Sequence, residues 1–523
     1  MMNKFIFVIV CFISFPSIAQ DHKIIPAPNH VEKREDNFKW TDYPIPIIAD
    51  DTLFFEAEYL SELLKRDHGI VSEIVSMKNE GSRIQLLLDE DMNDAEAYAL
   101  EITEKQIIIT GGSRSGIFYG IQSLRQWMWN NYDDCNKAVS GVLIEDQPRY
   151  PFRALMLDPA RHFLPVNDLK RYVDVMAQYK FNRLHLHLSD DQGWRIEIKK
   201  YPKLTEIGSD RSETDGDGKP HSGFYSQQDM KALVAYAAQR HVSIIPEIDI
   251  PGHSVAAIAA YPYLTCFEDQ LEVRTTPNIS KDLLCGGNDE VFRFLDDVID
   301  ELAQVFPGEE FHIGGDEAPL DHWEKCPKCQ KRMKELKLSS PQHLMSYFFQ
   351  RVNESLQKHK KKPLVWYELD VPYYPENSTM YAWRLGLSKE AIEKSRKQGY
   401  QLVCCPGEHA YFDYPQARGE ETCNWMPVLP LEQVYKFEPT MELPAKETDH
   451  IIGVEATLWG EYIKDINRAF YMTWPRAMAL SEAGWSEKKN RSWNEFKGKM
   501  DVHTSKLLHQ GVNYRPPVEL YDL

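Results

Sequence analysis

His312-Ile313-Gly314-Gly315-Asp316-Glu317-Ala318-Pro319 joins a short apolar run, Phe311 to Ile313, to two glycines and a pair of adjacent carboxylates. The apolar run predicts a buried strand. Glycine permits close backbone approach, so a strand that stops there delivers acidic side chains to a cleft rim. Within a regular strand, neighbours point to opposite faces, and Asp316 and Glu317 would part company. Where the strand breaks they can share one pocket, one acid donating a proton while the other steadies charge. The plainer alternative is a β-to-α turn whose carboxylates cap the next helix.

Outward from this point the same arrangement recurs. Apolar strand candidates fall at 154–158, 183–189, 242–248, 310–314, 363–368, 380–383, 401–405 and 453–459. Helical segments lie between them. Leu169, Tyr172, Val173 and Met176 recur at helical spacing, and Ser226-Gln227-Gln228-Asp229 reads as a capping box opening a helix that runs to about Arg240. Eight repeats over about 350 residues predict a (β/α)8 TIM barrel with long loops. A doubly wound open sheet is the rival, but no glycine-rich phosphate loop supports it.

Nearly every candidate strand ends in polar or aromatic chemistry: Asp158 with Arg161-His162, Asp190-Asp191, Glu247 with Asp249 and His253, Asp316-Glu317, Trp366, Trp383, Tyr411 with Asp413, and Trp459 with Glu461. A lone strand-end Asp usually caps a helix and a lone Trp is usually core. Repetition at eight equivalent places instead marks the catalytic end of a barrel. Flat indoles beside carboxylates and an arginine suit a pyranose, which has an apolar face and a rim of hydroxyls. Acids on that rim point to glycoside hydrolysis.

The rest of the chain frames the barrel. With 523 residues and 43% hydrophobic content, the expectation is a globular protein of two domains. A formal charge of −19 without any basic stripe argues against nucleic acid and anionic membrane as partners. Residues 1–19 read as a signal peptide: Lys4, an apolar run from Phe5 to Phe15, then Ser17-Ile18-Ala19. The mature protein is expected to be secreted or periplasmic, with no membrane-spanning segment, as a monomer or homodimer. Residues 20–150 read as a small α+β domain, with strands at 97–103 and 106–110 and a helix at 115–129, and 151–523 as the barrel. Gln147-Pro148-Arg149-Tyr150-Pro151 is the junction.

Nine cysteines include Cys11 in the leader. Cys266 and Cys285 flank a loop and are expected to form a bridge. Cys326-Pro327-Lys328-Cys329 has the spacing of half a zinc site, but no second Cys-x-x-Cys completes it, which favours a local disulfide or two free thiols.

Five ordered blocks, Arg153 to Phe163, Leu184 to Arg195, Pro246 to His253, His312 to Glu317 and Leu458 to Glu461, resemble the signature blocks of glycoside hydrolase family 20, the exo-acting β-N-acetylhexosaminidases. The likeness runs from about residue 24 to the C-terminus and includes the closing Gly511-Val512-Asn513-Tyr514-Arg515. It implies a retaining mechanism in which the 2-acetamido group of the substrate is the nucleophile. By this resemblance Glu317 is the general acid and base, Asp316 orients the acetamido group, and Tyr411 donates to its oxygen. Asp190 and His253 position the acid. Trp366, Trp383 and Trp459 wall the sugar pocket, and Arg161, Asp413 and Glu461 hold ring hydroxyls. Trp425 falls where a leaving-sugar platform would stand. Burial beside Asp316 is expected to raise the proton affinity of Glu317. The expected partner is a glycoconjugate bearing a terminal β-linked N-acetylhexosamine, and the reaction calls for no cofactor and no catalytic metal. Cys404-Cys405-Pro406-Gly407, ahead of Tyr411, matches no assigned motif.

Two other classes compete with this reading. A sugar-binding protein without catalysis would have lost Asp316 or Glu317, and both are present. A metallohydrolase would use histidine ligands; His185-x-His187 has suitable spacing, but mid-strand these rings are expected to face the barrel interior or wall, not its mouth.

Overall fold

The computed structural model describes residues 22–41, 43–76, 81–422 and 425–518, so the leader and Cys423 lie outside the described residues. The chain begins with a sheet: β1 (His30–Lys39), β2 (Ile45–Ile48), β3 (Ser72–Val75), β4 (Arg83–Leu88), β5 (Tyr98–Ile102), β6 (Gln106–Gly111), β7 (Tyr132–Asp133) and β8 (Ala138–Asp146). Strand order is β1-β8-β5-β6-β4-β2-β3, with β7 paired to β8. Alternating burial in β5 and β6 shows one face inward and one outward, as their alternating sequence requires. Two helices cover the sheet, α1 (Phe54–His68) and α2 (Arg114–Asn131). Every residue from Gly116 to Met128 is buried, because α2 is packed on the sheet and also contacts the barrel.

Eight parallel strands then close on themselves: β9 (Phe152–Leu157), β10 (Arg183–His187), β11 (Ser243–Glu247), β12 (Glu310–His312), β13 (Lys362–Trp366), β14 (Thr379–Ala382), β15 (Gln401–Cys404) and β16 (Ile451–Ala456), with β16 returning to β9. Each of the eight predicted strands is present. All six residues of β9 are buried, the mark of a strand covered on both faces. Helices between strands include α3 (Val166–Gln178), α4 (Gln227–Ala238), α5 (Asp289–Leu302), α6 (Pro327–Glu335) and α7 (Pro341–Lys358). The predicted box at α4 is formed: the Asp229 N–H donates to Ser226 Oγ (3.0 Å) and the Ser226 N–H to Asp229 Oδ2 (2.9 Å).

Sheet and barrel meet around one buried carboxylate. Asp146, last residue of β8, accepts from Lys180 Nζ (2.9 Å), Tyr98 Oη (2.7 Å) and Trp485 Nε1 (2.9 Å). Lys180 has no exposed side-chain surface and lies 4.3 Å from the Trp485 ring.

The cysteines depart from expectation. The seven described cysteines are free thiols, so Cys266 and Cys285 are not bridged to each other, and Cys326 and Cys329 are not bridged either. Instead these four converge, all buried, with every Sγ within 4.8 Å of the others. The chain brings the pairs together across a fold that spacing alone does not reveal: Cys285 N–H donates to Leu264 O (2.8 Å) beside a Thr265–Leu284 bridge, which lays Cys266 next to Cys285.

Candidate active site

The β12 ladder stops at His312, and the backbone turns through Gly314 (φ 63°) and Gly315 (φ 102°). Both glycines are required by their surroundings. A Cβ on Gly314 would lie 1.7 Å from Asp249 Oδ1, and one on Gly315 would lie 2.8 Å from the Phe349 ring. The close approach is to Asp249, whose Oδ1 accepts the Gly315 N–H at 3.0 Å. Glu317 then takes a left-handed φ of 46°, a conformation that costs a non-glycine residue roughly 1 kcal/mol or more. This kink lets adjacent carboxylates both reach the barrel mouth.

His253, also left-handed (φ 49°), stands between them and Asp190. Its Nδ1 donates to Asp190 Oδ1 (3.2 Å), while Nε2 faces Glu317 Oε2 at 3.7 Å and Asp316 Oδ2 at 3.9 Å. Burial alone would lower the His253 pKa, but the Asp190 and Glu317 carboxylates outweigh it, and the ring is held as the cation. Asp190 in turn accepts from Arg161 Nη2 (2.7 Å) and His187 Nε2 (2.7 Å) and stays ionised despite its burial.

The two catalytic candidates titrate in the opposite order to expectation. Burial pushes Asp316 up to about 7, with the Glu317 charge adding to it. Glu317 moves the other way: it is about one-third exposed, so burial raises it less, and the cations of His253, Arg384 and Arg161 bring it below its usual value. The deeper carboxyl of the pair therefore holds the proton in the unliganded site.

The walls follow from the neighbouring strand ends. Trp366 is buried with its Nε1 donating to Glu247 Oε1 (2.7 Å), and its ring lies 5.5 Å from that of Trp459. Tyr411 is 6.5 Å from Trp459 by ring centres, and Arg161 lies 5.1 Å from the same indole. Trp383 carries Arg384 over its face at 4.4 Å. The Cys404-Cys405-Pro406-Gly407 segment has a structural explanation: Cys405 and Gly407 donate to Ala382 O and Trp383 O (3.0 Å each), prolonging the wall before one helical turn aims Tyr411. Asp413 and Glu461 are both pushed up, chiefly by burial. Asp413 Oδ1, Glu461 Oε2 and Asp316 Oδ1 are buried acceptors, and His253 Nε2 and Trp383 Nε1 buried donors, that no group among the described residues satisfies. Such a ring of unmet polar atoms among indoles suits a polyhydroxylated ligand.

Two positions fit their expected roles less directly. Arg161 is already tied to Asp158 (2.9 Å), Asp190 and Gln192 (3.1 Å), so part of its guanidinium is committed to holding the site. Trp425 is 69% exposed and meets the ring of Tyr414 at a centroid distance of 6.0 Å. Clefts flank the mouth on both sides, one of about 500 Å³ lined by Arg161 and Glu461, another of about 590 Å³ lined by Glu317, Glu368 and Arg384.

Sequence reasoning missed a buried network beneath the site. Glu247 pairs with His185 (3.1 Å), His312 (2.8 Å) and His187, and His185 reaches Glu455 at 2.8 Å. The His-x-His spacing was visible, and both rings do lie inside the barrel, where i and i+2 share a face. Their carboxylate partners sit on other strands, brought level by register: His187 is opposite Glu247, which is opposite His312. Glu368 was also missed as a site residue; it accepts from Arg384 Nη2 (2.6 Å) and Nε (2.9 Å), and its Oε1 is 3.4 Å from the Glu317 N–H.

Carboxyl pairs walled by indoles at the mouth of a (β/α)8 barrel belong to glycoside hydrolases, and that is the class of this chain. The catalytic-domain model of glycosyl hydrolase family 20 matches residues 150–488, and the model of domain 2 of that family matches residues 21–147. The chain belongs to glycosyl hydrolase family 20. A beta-hexosaminidase of Akkermansia muciniphila is 43% identical over 479 residues, covering 90% of this chain and 96% of its own length. A beta-hexosaminidase of Porphyromonas gingivalis is 36% identical over 518 residues, covering 97% of this chain and 66% of its own. Among solved structures, an exo beta-N-acetylglucosaminidase of Vibrio harveyi in complex with N-acetylglucosamine superposes with a TM-score of 0.87 at 34% identity, covering 95% of this chain and 79% of its own.

Proposed function

We propose that this glycoside hydrolase is an exo-acting β-N-acetylhexosaminidase that releases terminal β-linked GlcNAc and GalNAc from glycans, with retention of configuration and participation of the 2-acetamido group. The observation that carries this is the buried Asp316 with an unsatisfied oxygen, directly beside Glu317 and the His253 cation.

Glu317 donates its proton to the glycosidic oxygen as the C1–O bond breaks, and the acetamido carbonyl oxygen closes on C1 to give an oxazolinium ion. Asp316 accepts the acetamido N–H and offsets the positive charge, while Tyr411 donates to the acetamido oxygen. Glu317 then removes a proton from water, which attacks C1 from the face the leaving group occupied, so the product keeps the β configuration. Holding the nucleophile within the substrate makes the attack effectively unimolecular. A sugar in the cleft also strips water from Glu317, raising its proton affinity towards that of a working acid. Asp413 and Glu461 accept from ring hydroxyls, and Trp366, Trp383 and Trp459 cover the apolar faces. Trp425, exposed beyond the pocket, meets a longer leaving group.

Among the described residues no helix is long and apolar enough to cross a membrane. Export through the leader at residues 1–19 is part of the proposal, and N-terminal sequencing of protein recovered outside the cytoplasm checks it.

The test is a panel of chromogenic β-GlcNAc, β-GalNAc and β-glucose substrates with the purified protein, followed by NMR of the first-formed anomer and inhibition by a thiazoline mimic of the cyclised intermediate. Hydrolysis of the acetamido sugars, β-anomer first and thiazoline-sensitive, is expected. Cleavage of β-glucoside at a comparable rate would refute neighbouring-group participation.

A further inference from the structure

We propose that Cys266, Cys285, Cys326 and Cys329 bind one zinc ion in tetrahedral thiolate coordination, a structural site separate from the sugar pocket. The edges of the cluster include Cys266–Cys329 at 3.8 Å, Cys285–Cys326 at 3.8 Å and Cys285–Cys329 at 3.6 Å between Sγ atoms. Four sulfurs at the usual Zn–S distance of about 2.3 Å, arranged as a tetrahedron, lie about 3.8 Å apart. A disulfide would instead bring one pair to about 2.0 Å and leave the other two sulfurs outside it.

The surroundings are those of a closed structural site. Cys285, Cys326 and Cys329 have no exposed surface and Cys266 is 6% exposed, so no open position remains for substrate. Cys326 stands immediately before α6 and Cys329 in its first turn, with Pro327 starting the helix, so both sulfurs point the same way. Across from them, Cys285 runs into Gly286-Gly287. A Cβ on Gly287 would lie 2.2 Å from the Lys328 backbone, and one on Gly286 3.0 Å from the Trp323 ring. The two loops are thus pressed backbone to backbone around the sulfurs, and Trp323 Nε1 donates to Leu284 O (3.0 Å) beside them. Binding releases the thiol protons to solvent, four thiolates against a divalent ion leaving a net charge of −2.

The zinc takes no part in the reaction. It ties the segment after β11, which carries His253, to the segment after β12, which carries Asp316 and Glu317, and so holds the acid and its cationic neighbour at fixed spacing.

Metal analysis of the full mature protein, purified without added metal or chelator, should find about one zinc per chain. Cys266→Ser and Cys329→Ser should each abolish that stoichiometry and lower Tm, and a mercurial reagent should displace the zinc from the wild type into a colorimetric chelator. Glu317→Gln should carry as much zinc as the wild type, which separates this site from the proposed chemistry. The wild-type measurement stands even where a cysteine variant does not fold. Iron in place of zinc, four free thiols that remain metal-free after zinc is supplied, or an intact mass lighter by four hydrogens with no metal, the sign of two disulfides, would each overturn the proposal.

Discussion

At the scale of single residues, the site turns on which of two neighbouring carboxyls holds a proton. Asp316 is raised to about 7 by burial, Glu317 is lowered by the cations facing it, and the proposed reaction needs the proton on Glu317. Two such groups titrate as a pair. The singly protonated pair is the active one, so kcat/KM should be bell-shaped with its alkaline limb near 7, where the last proton leaves. Replacing the His253 cation by Asn removes a positive charge that lowers both carboxyl pKa values. Both limbs should therefore move to higher pH; an unmoved profile in that variant would show that His253 does not act through charge. Glu317→Gln should bind sugar nearly as well as the wild type and turn over about 100-fold slower or worse, measured by product binding and kcat in parallel.

At the scale of elements, the end of β12 is the decisive piece. Gly314 combines a positive φ with an Asp249 oxygen where a side chain would be. Gly314→Ala should cost about 2 kcal/mol or more, from backbone strain and the clash together, and should lower kcat well beyond what lost stability explains. Denaturant titration alongside kinetics checks both parts. The strand itself was legible because Phe311 to Ile313 is an apolar run ended by glycine. The proton affinity of Glu317 was not, because the groups that set it, His253, Arg161 and Arg384, come from three other strand ends.

At the scale of the whole molecule, the N-terminal sheet and the barrel share the Asp146–Lys180 pair. Breaking a buried pair by removing one partner strands the other charge, typically at about 3–5 kcal/mol. Asp146→Ala should show a loss of that order by equilibrium unfolding, and adding Lys180→Met should restore part of it. If the single variant unfolds at the wild-type midpoint, the pair does not hold the two units together.

The sequence by itself determined the barrel and its mouth, because apolar strand runs and the polar residues that end them are local patterns, repeated eight times in register with the fold. It also placed the acid pair, since a glycine break is the local condition for two neighbours to face one cleft. Only the tertiary structure decided the His185–Glu247–His187 network, the Glu368–Arg384 wall and the four-cysteine cluster. Each of these joins residues from different strand ends or loops, 16 positions apart for Glu368 and Arg384, 60 for His187 and Glu247 and 63 for Cys266 and Cys329, and nothing in the spacing of such residues encodes which strand register or loop packing will bring them together.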